Sequence, residues 1–306
     1  MSAQRVEETR GEIEEIIARY AGGPDGDAVP GLGVGRLTAP MAPMTMVYDP
    51  SLCMCIRGSK NMVVGEQRFT QTEDRFLLFC AEMPAIVSID DASPEKPYTA
   101  LLIHLDLDVA RQIMAEIDIH GIAVRPRMDS CMAYGKVDGD LLDAVLRMVR
   151  LIERPFDMPI MRGLVQRELL FRLLSGPSGE RLREIVRLGS PSQRIGRAIA
   201  WLRSNYAKRL SIERLAAHAG MGVSTLHRHF QEVTTMSPLQ YQKQLRLHEA
   251  RRLMLAEGAE ASTSAFQVGY ESTTQFNREY RRLFGQPPLR DVRALRRTPS
   301  ASTSVM

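Results

Sequence analysis

The sequence is poor in the residues that staple or metallate small folds. Its 306 residues hold 4 cysteines, 6 histidines and one tryptophan. Four cysteines in a chain of this length exclude a disulfide-built scaffold and are expected to stay reduced. Between Gly31 and Leu105 there is one histidine, His104, whereas metal-using β-barrel enzymes converge several His and carboxylate ligands on one point. No uninterrupted apolar run approaches the roughly 18 residues that cross a bilayer. The first ten residues contain no apolar stretch, so no secretory leader is expected. No nucleophile elbow, phosphate loop or dinucleotide fingerprint occurs. These absences predict a cytoplasmic protein that is neither membrane-bound nor an enzyme and holds no metal or other cofactor.

What is present begins with charge. The net charge of +4 is unevenly spread. Residues 190–297 carry 18 Lys and Arg against 8 Asp and Glu, a balance of +10 that leaves −6 for the rest. A basic third joined to a mildly acidic remainder fits a nucleic-acid-binding domain plus a second domain, although a solvated basic surface has the same composition.

Residues 1–30 open with Ile13, Ile16, Ile17 and Tyr20 at helical spacing. From Gly31 to Leu105 short apolar runs alternate with turn residues. Strands are predicted at 45–48, 52–56, 61–64, 67–70, 76–80, 85–89 and 98–105, with Gly65-Glu66 as a tight hairpin turn. Many short strands at this spacing suit a sandwich or small barrel. Helices are predicted over 106–119, 138–152 and 160–174, the last two forming a hairpin punctuated by Pro155 and Pro159. Its apolar stripe covers the barrel or meets a second copy of the chain. Residues 298–306 are small and polar, and a disordered tail is expected there.

The basic third repeats itself. Leu226, Arg228, Phe230 and Pro238 recur as Phe276, Arg278, Tyr280 and Pro288 at an offset of 50, and Ala219-Gly220-Met221 matches Val268-Gly269-Tyr270 at 49. Each copy reads as helix, Gly turn, helix. Ser211 caps the first helix and Gly220 ends it. Ser272 and Gln275 form a capping box for the last. Ser237-Pro238 starts a spacer helix with Tyr241, Leu245, Ala250, Leu253 and Met254 as core. Trp201 is predicted to be core. Burying Leu226 and Phe230, or Phe276 and Tyr280, turns Ser224, Thr225, His227 and Arg228, and Thr273, Thr274, Asn277 and Arg278, outward. Arg can bond guanine acceptors, Asn can pair with adenine, and Thr can touch the thymine methyl. These eight residues are the candidate DNA contacts, on two helices entering adjacent major-groove segments. Lys243, Arg246, Arg251 and Arg252 on the spacer helix either contact phosphate or form a solvated face.

The pattern Leu215-Ala216, Gly220-Met221, Leu226-His227-Arg228-His229-Phe230, Ser237-Pro238, then Val268-Gly269-Tyr270-Glu271-Ser272, Phe276-Asn277-Arg278-Glu279-Tyr280 and Phe284-Gly285-Gln286-Pro287-Pro288 resembles the DNA-binding domain of the AraC/XylS family. Pro50-Ser51-Leu52-Cys53, Gly58-Ser59-Lys60, Met83-Pro84-Ala85 and Ser93-Pro94-Glu95-Lys96-Pro97-Tyr98 are similar to one N-terminal subtype of that family. Gly222 departs from the pattern, which often has a Ser cap there. The resemblance implies a multidomain α+β protein: a cupin-like β-barrel with flanking helices that senses a small-molecule effector, a helical element for homodimerisation, and an all-α domain with two helix–turn–helix units. It implies a transcriptional activator acting on double-stranded promoter DNA with RNA polymerase as a partner. The expected domains are 1–30, an N-terminal helical arm; 31–189, the sensing and dimerisation region; and 190–297, the DNA-binding domain.

Two other classes compete. A small-molecule-binding or enzymatic cupin with an accessory basic domain is opposed by the lone His104. A nonspecific architectural DNA binder is opposed by two recognition helices of different sequence. Cys53 and Cys55, two apart on a strand, point to one face. They are either buried apolar packing or a redox or electrophile sensor. Met44, Met46, Phe76, Phe79 and Tyr98 either line an effector pocket or fill the core.

Overall fold

A computed structural model describes residues 3–21, 29–64, 67–80, 82–119, 132–176, 179–187 and 191–297. The expected tail at 298–306 and the Gly65-Glu66 turn lie outside them. The chain divides into two compact units, Met1–Gln193 and Arg194–Ser300.

In the first unit, helix α1 (Ala3–Tyr20) buries Ile13, Ile16 and Ile17. Among the described residues nine strands follow: β1 (Leu32–Leu37), β2 (Met41–Tyr48), β3 (Ser51–Arg57), β4 (Lys60–Val64), β5 (Gln67–Gln71), β6 (Arg75–Phe79), β7 (Met83–Ile89), β8 (Tyr98–His104) and β9 (Met132–Lys136). They form two antiparallel sheets, ordered β1-β8-β3-β6-β9 and β2-β7-β4-β5. The described strands close no single barrel; the expected barrel is a two-sheet sandwich of cupin-like plan. The sheets face each other, with Tyr48 of β2 stacked on Phe79 of β6 at 4.4 Å between ring centroids. The pairing Val64↔Gln67 leaves two residues to join β4 to β5.

Helices α2 (Leu107–Ile119), α3 (Gly139–Arg150), α4 (Met158–Ser175) and α5 (Glu180–Val186) complete this unit. Asp138 caps α3, accepting from the Leu141 amide. Arg150 of α3 grips Glu12 of α1 through Nε and Nη2 at 2.6 and 2.8 Å. From α1, Arg10 reaches the Cys55 and Ile56 carbonyls of β3. Helix α4 buries Val165, Leu169, Leu170, Leu173 and Leu174. A second row on α4 stays in solvent: Ile160 is 72% exposed, Leu164 57% and Phe171 44%, and Phe156 just ahead of the helix 94%.

The second unit is all-helical: α6 (Pro191–Asn205), α7 (Ile212–Ala219), α8 (Val223–Thr234), α9 (Pro238–Ala256), α10 (Ala261–Gln267), α11 (Thr273–Phe284) and α12 (Pro288–Arg297). Trp201 is only half-buried, against the His218 ring; the neighbouring Leu202 fills the core. On α9 Leu247 is buried and Leu245 only partly so. The interior is fastened by a charged node. Asp291 of α12 accepts from Arg251 Nε and Nη2 of α9 at 2.8 and 2.9 Å, and from the Tyr280 hydroxyl of α11 at 2.7 Å. Both charges are buried. Removing one partner strands the other, so Asp291→Ala is expected to cost about 3–5 kcal/mol. Urea unfolding followed by the fluorescence of Trp201, which lies in this unit, measures it; a loss below about 1 kcal/mol contradicts the role given to the node.

Candidate functional site

The two repeats build the same device. Ser211 caps α7 by accepting from the Arg214 amide. Gly220 ends that helix in the left-handed region at φ 65°, and the Met221 amide reaches back to the Ala216 carbonyl at 2.9 Å. The second copy repeats that bond 49 residues later, Tyr270 amide to Ala265 carbonyl at 2.9 Å. Gly269 adopts φ 91°, and a Cβ there would meet the Ala207 carbonyl oxygen. Only glycine satisfies both demands.

Leu226 and Phe230 of α8, and Phe276 and Tyr280 of α11, are fully buried. The helical period therefore turns the intervening residues outward. Ser224, Thr225, His227 and Arg228 are exposed on α8; Thr274, Asn277 and Arg278 are exposed on α11, with Thr273 half-exposed. Arg278 makes no ion pair among the described residues. Arg228 lies 4.0 Å from Glu232. His229 is turned inward and bonded to Glu232 at 2.7 Å.

The start of α11 differs from expectation. Ser272 does cap it, accepting from the Gln275 amide. The reciprocal bond of a capping box is not made, because the Gln275 side chain donates to Glu279 at 3.1 Å. Glu279 also receives the Tyr270 hydroxyl at 2.8 Å and Lys243 Nζ at 2.7 Å. Burial alone would raise the Glu279 carboxyl, but the bonds from Lys243, Gln275 and Tyr270 outweigh it and hold the group below its usual range. The full capping box stands instead at Ser237 and Gln240, at the head of α9. Gly222 gives α8 no side-chain cap.

Each of the four cations singled out on α9 has a partner within the protein. Arg246 donates to the carbonyls of Tyr206, Ala207, Lys208 and Gly269. Arg251 belongs to the buried node, Lys243 to Glu279, and Arg252 to Glu249 and Glu257. Arg246, Arg251 and Lys243 tie α9 to other segments of the second unit, while Arg252 pairs along its own helix and at its end.

In the first unit Cys53 and Cys55 lie on the inner face of β3, both buried and free of disulfides. Burial pushes the Cys53 thiol up to about 11 and raises Cys55 too. Both are neutral thiols, whereas electrophile chemistry uses the thiolate. Met46, Phe76, Phe79 and Tyr98 are buried and Met44 partly so. Sequence reasoning missed the group beside the thiols: Lys60, buried at the start of β4 with its ammonium 3.5 Å from the Tyr48 hydroxyl. The alternation Lys60, Met62, Val64 carried the signal, since it places Lys60 on the face of its apolar neighbours. Among the described residues no group of three or more His, Cys, Asp or Glu is placed to hold a metal ion.

The family model for the AraC-type transcriptional regulator N-terminus matches residues 28–181, half of the chain. The chain belongs to the AraC-type transcriptional regulators. A helix-turn-helix domain model matches residues 215–294, which hold α7 residues from Leu215 onward through most of α12. The HTH-type transcriptional activator RhaS of Escherichia coli is 27% identical over 162 residues, 53% of this chain and 57% of that protein. RhaS of Pectobacterium carotovorum is 32% identical over 100 residues, 33% and 36% of the two chains. The match thus covers 57% of the Escherichia coli relative's length and 36% of the Pectobacterium one's. Among solved structures, ToxT of Vibrio cholerae bound to (E)-4-(8-methylnaphthalen-1-yl)but-3-enoic acid superposes with a TM-score of 0.56 at 9% identity, covering 86% of this chain and 98% of that one. ToxT with an unsaturated fatty acid bound gives 0.54 at 8%, covering 85% and 94%. At such identity the likeness is one of fold. No described helix of this AraC-type regulator is long and apolar enough to cross a membrane.

The repeat also exposes a local strain. Helix α8 ends on Thr235 at φ 60°, and α11 ends on Gly285, 50 residues on, at φ 78°. A β-branched residue pays for the left-handed conformation where glycine does not. Thr235→Gly is expected to stabilise the second unit by about 0.5–1 kcal/mol, read as a rise in the urea midpoint of Trp201 fluorescence. A drop would show that the bond from the Thr235 hydroxyl to the Thr234 carbonyl outweighs the strain.

Proposed function

We propose that this regulator is an effector-responsive activator that reads one DNA site with α8 and α11 in adjacent major-groove segments. The observation that carries the reading is the matched pair of outward faces, with Arg228 and Arg278 at equivalent positions and the buried aromatic or aliphatic residues at equivalent depth. The two faces differ in sequence, as reading a defined, asymmetric site requires. Ser224, Thr225, His227 and Arg228 would serve one segment and Thr273, Thr274, Asn277 and Arg278 the next. The assigned domains are 1–30, an N-terminal helical arm; 31–189, for sensing and dimerisation; and 190–297, for DNA. RNA polymerase at the promoter and a cytoplasmic location belong to the same reading, supported by the activator RhaS. ToxT, a protein of this fold, is known with small organic acids bound, which supports an effector in the sandwich unit. An enzymatic role has no support from the relatives, which are transcriptional regulators.

The exposed row Phe156, Ile160, Leu164 and Phe171 supports a homodimer through α4. It runs four and seven residues apart along one helix face and is rimmed by charged pairs, Arg167–Glu116 and Arg172–Asp140. Such a face is self-complementary across a two-fold axis.

Two outcomes are expected. Arg278→Ala weakens binding to the cognate fragment by about 1–3 kcal/mol and relaxes preference at one base position in fluorescence anisotropy; equal loss on every sequence marks a phosphate contact and removes Arg278 from base reading. Ile160→Glu with Leu164→Glu converts a dimer to a monomer in sedimentation equilibrium with helical content unchanged, and a dimer that persists rules out α4 as the interface.

A further inference from the structure

The interior of the sandwich holds a lysine that no carboxylate among the described residues neutralises. Lys60 is 7% exposed, and its ammonium lies 3.5 Å from the Tyr48 hydroxyl and 5.3 Å from the centre of that ring. Facing it are Tyr48 from β2, Cys53 and Cys55 from β3, and Tyr98 from β8. All four are weak acids, and burial raises every one of them, so none supplies a negative charge at neutral pH. Among the described residues no carboxylate lies within ion-pair distance of Lys60. Burial penalises the Lys60 ammonium, and a buried ammonium without a counter-charge either sheds its proton or is completed by an anion from outside the fold.

A second observation lies beside it. The Tyr134 hydroxyl and Gln71 Oε1 are buried without hydrogen-bond partners. Tyr134 sits on β9, the edge of one sheet, and its ring meets Phe69 of β5, the edge of the other, at 5.2 Å. The Lys60 charge acts on the Tyr134 phenol. Tyr134 also lines a cleft of about 350 Å³ with Phe76, Leu141 and Leu173. One residue therefore borders both an open cleft and the uncompensated interior.

We propose that the interior around Lys60 is the effector site and that it takes a small molecule with one carboxylate and an apolar tail. This rests on the reading that the first unit binds an effector. Lys60 supplies the counter-charge, and the Tyr134 and Tyr48 hydroxyls donate to the carboxylate. The tail lies among Met46, Met62 and Met83, buried residues on the inner faces of β2, β4 and β7, whose flexible side chains re-pack around a guest. One ammonium balances one carboxylate, whereas a phosphate, with close to two charges, would leave an excess. Entry past Tyr134 displaces its ring from Phe69.

The test uses the full chain in calorimetric titrations with straight-chain carboxylates from acetate to decanoate, each beside its matching alcohol. At least one acid is expected to bind at least about tenfold more tightly than its alcohol. Lys60→Met is expected to abolish that preference and to raise the ligand-free melting temperature, since it replaces an unpaired buried charge with an isosteric apolar chain. Acid and alcohol binding alike, or no acid binding at all, overturns the assignment; so does a preference that survives in Lys60→Met. The acid–alcohol comparison needs only the unaltered protein and stands even if the variant misfolds. The failure of the underlying reading looks different. If alcohols bind and shift promoter affinity, the effector reading stands and the carboxylate fails. If nothing that binds alters promoter affinity, both fail.

Discussion

Burial of two large side chains four residues apart fixes how each recognition helix is rolled about its own axis. Phe276 and Tyr280 are fully buried, and the 3.6-residue period leaves no freedom in where Asn277 and Arg278 point. The same holds for Leu226 and Phe230 against His227 and Arg228. The anchoring is itself secured from beneath, since the Tyr280 hydroxyl ends on Asp291 and Asp291 on Arg251. The outward surface of each helix is thus determined by the core, and the exposed residues can vary without disturbing the fold that presents them.

That division of labour explains how the charge of the second unit is used. Its +10 balance suggests a broad basic surface, yet the cations of the central helix are turned to structural work. Arg246 closes the carbonyls at the end of the first helix and at the Gly269 turn; Arg251 and Lys243 hold buried or half-buried carboxylates. Bound in this way they are poor phosphate ligands, because a phosphate would have to displace bonds already made. The composition points to nucleic acid but does not reveal which cations already have partners within the protein.

Most strands were legible as apolar and β-branched runs between turn residues, β2 and β5 at the edges of the four-stranded sheet among them. The two that escaped, Leu32–Leu37 and Met132–Lys136, are the edges of the five-stranded sheet. Each carries glycine and a cation, which weaken strand propensity and suit edges. The helix Glu180–Val186 was hidden between two Gly/Pro-rich breaks. The repeat was legible in full because it is written twice, and the second copy checks the first. Its misreadings are local and share a cause. Gln275, Leu245 and Trp201 were placed by rules of spacing, which do not reveal their surroundings, such as the Lys243 and Tyr270 that converge on Glu279 one turn beyond Gln275. Lys60 is the extreme case, since a lysine in a strand reads as a solvent-facing residue until the opposite sheet is in view.

The account stands most directly on sequence-specific recognition by two helices. Footprinting the full-length protein on DNA upstream of its own and neighbouring genes, with anisotropy titrations against scrambled DNA at physiological salt, tests that. The account predicts protection of two adjacent major-groove segments on one face of the duplex, and affinity at least about 10³-fold above scrambled DNA. Equal, steeply salt-dependent binding to every fragment, without a discrete footprint, would contradict it.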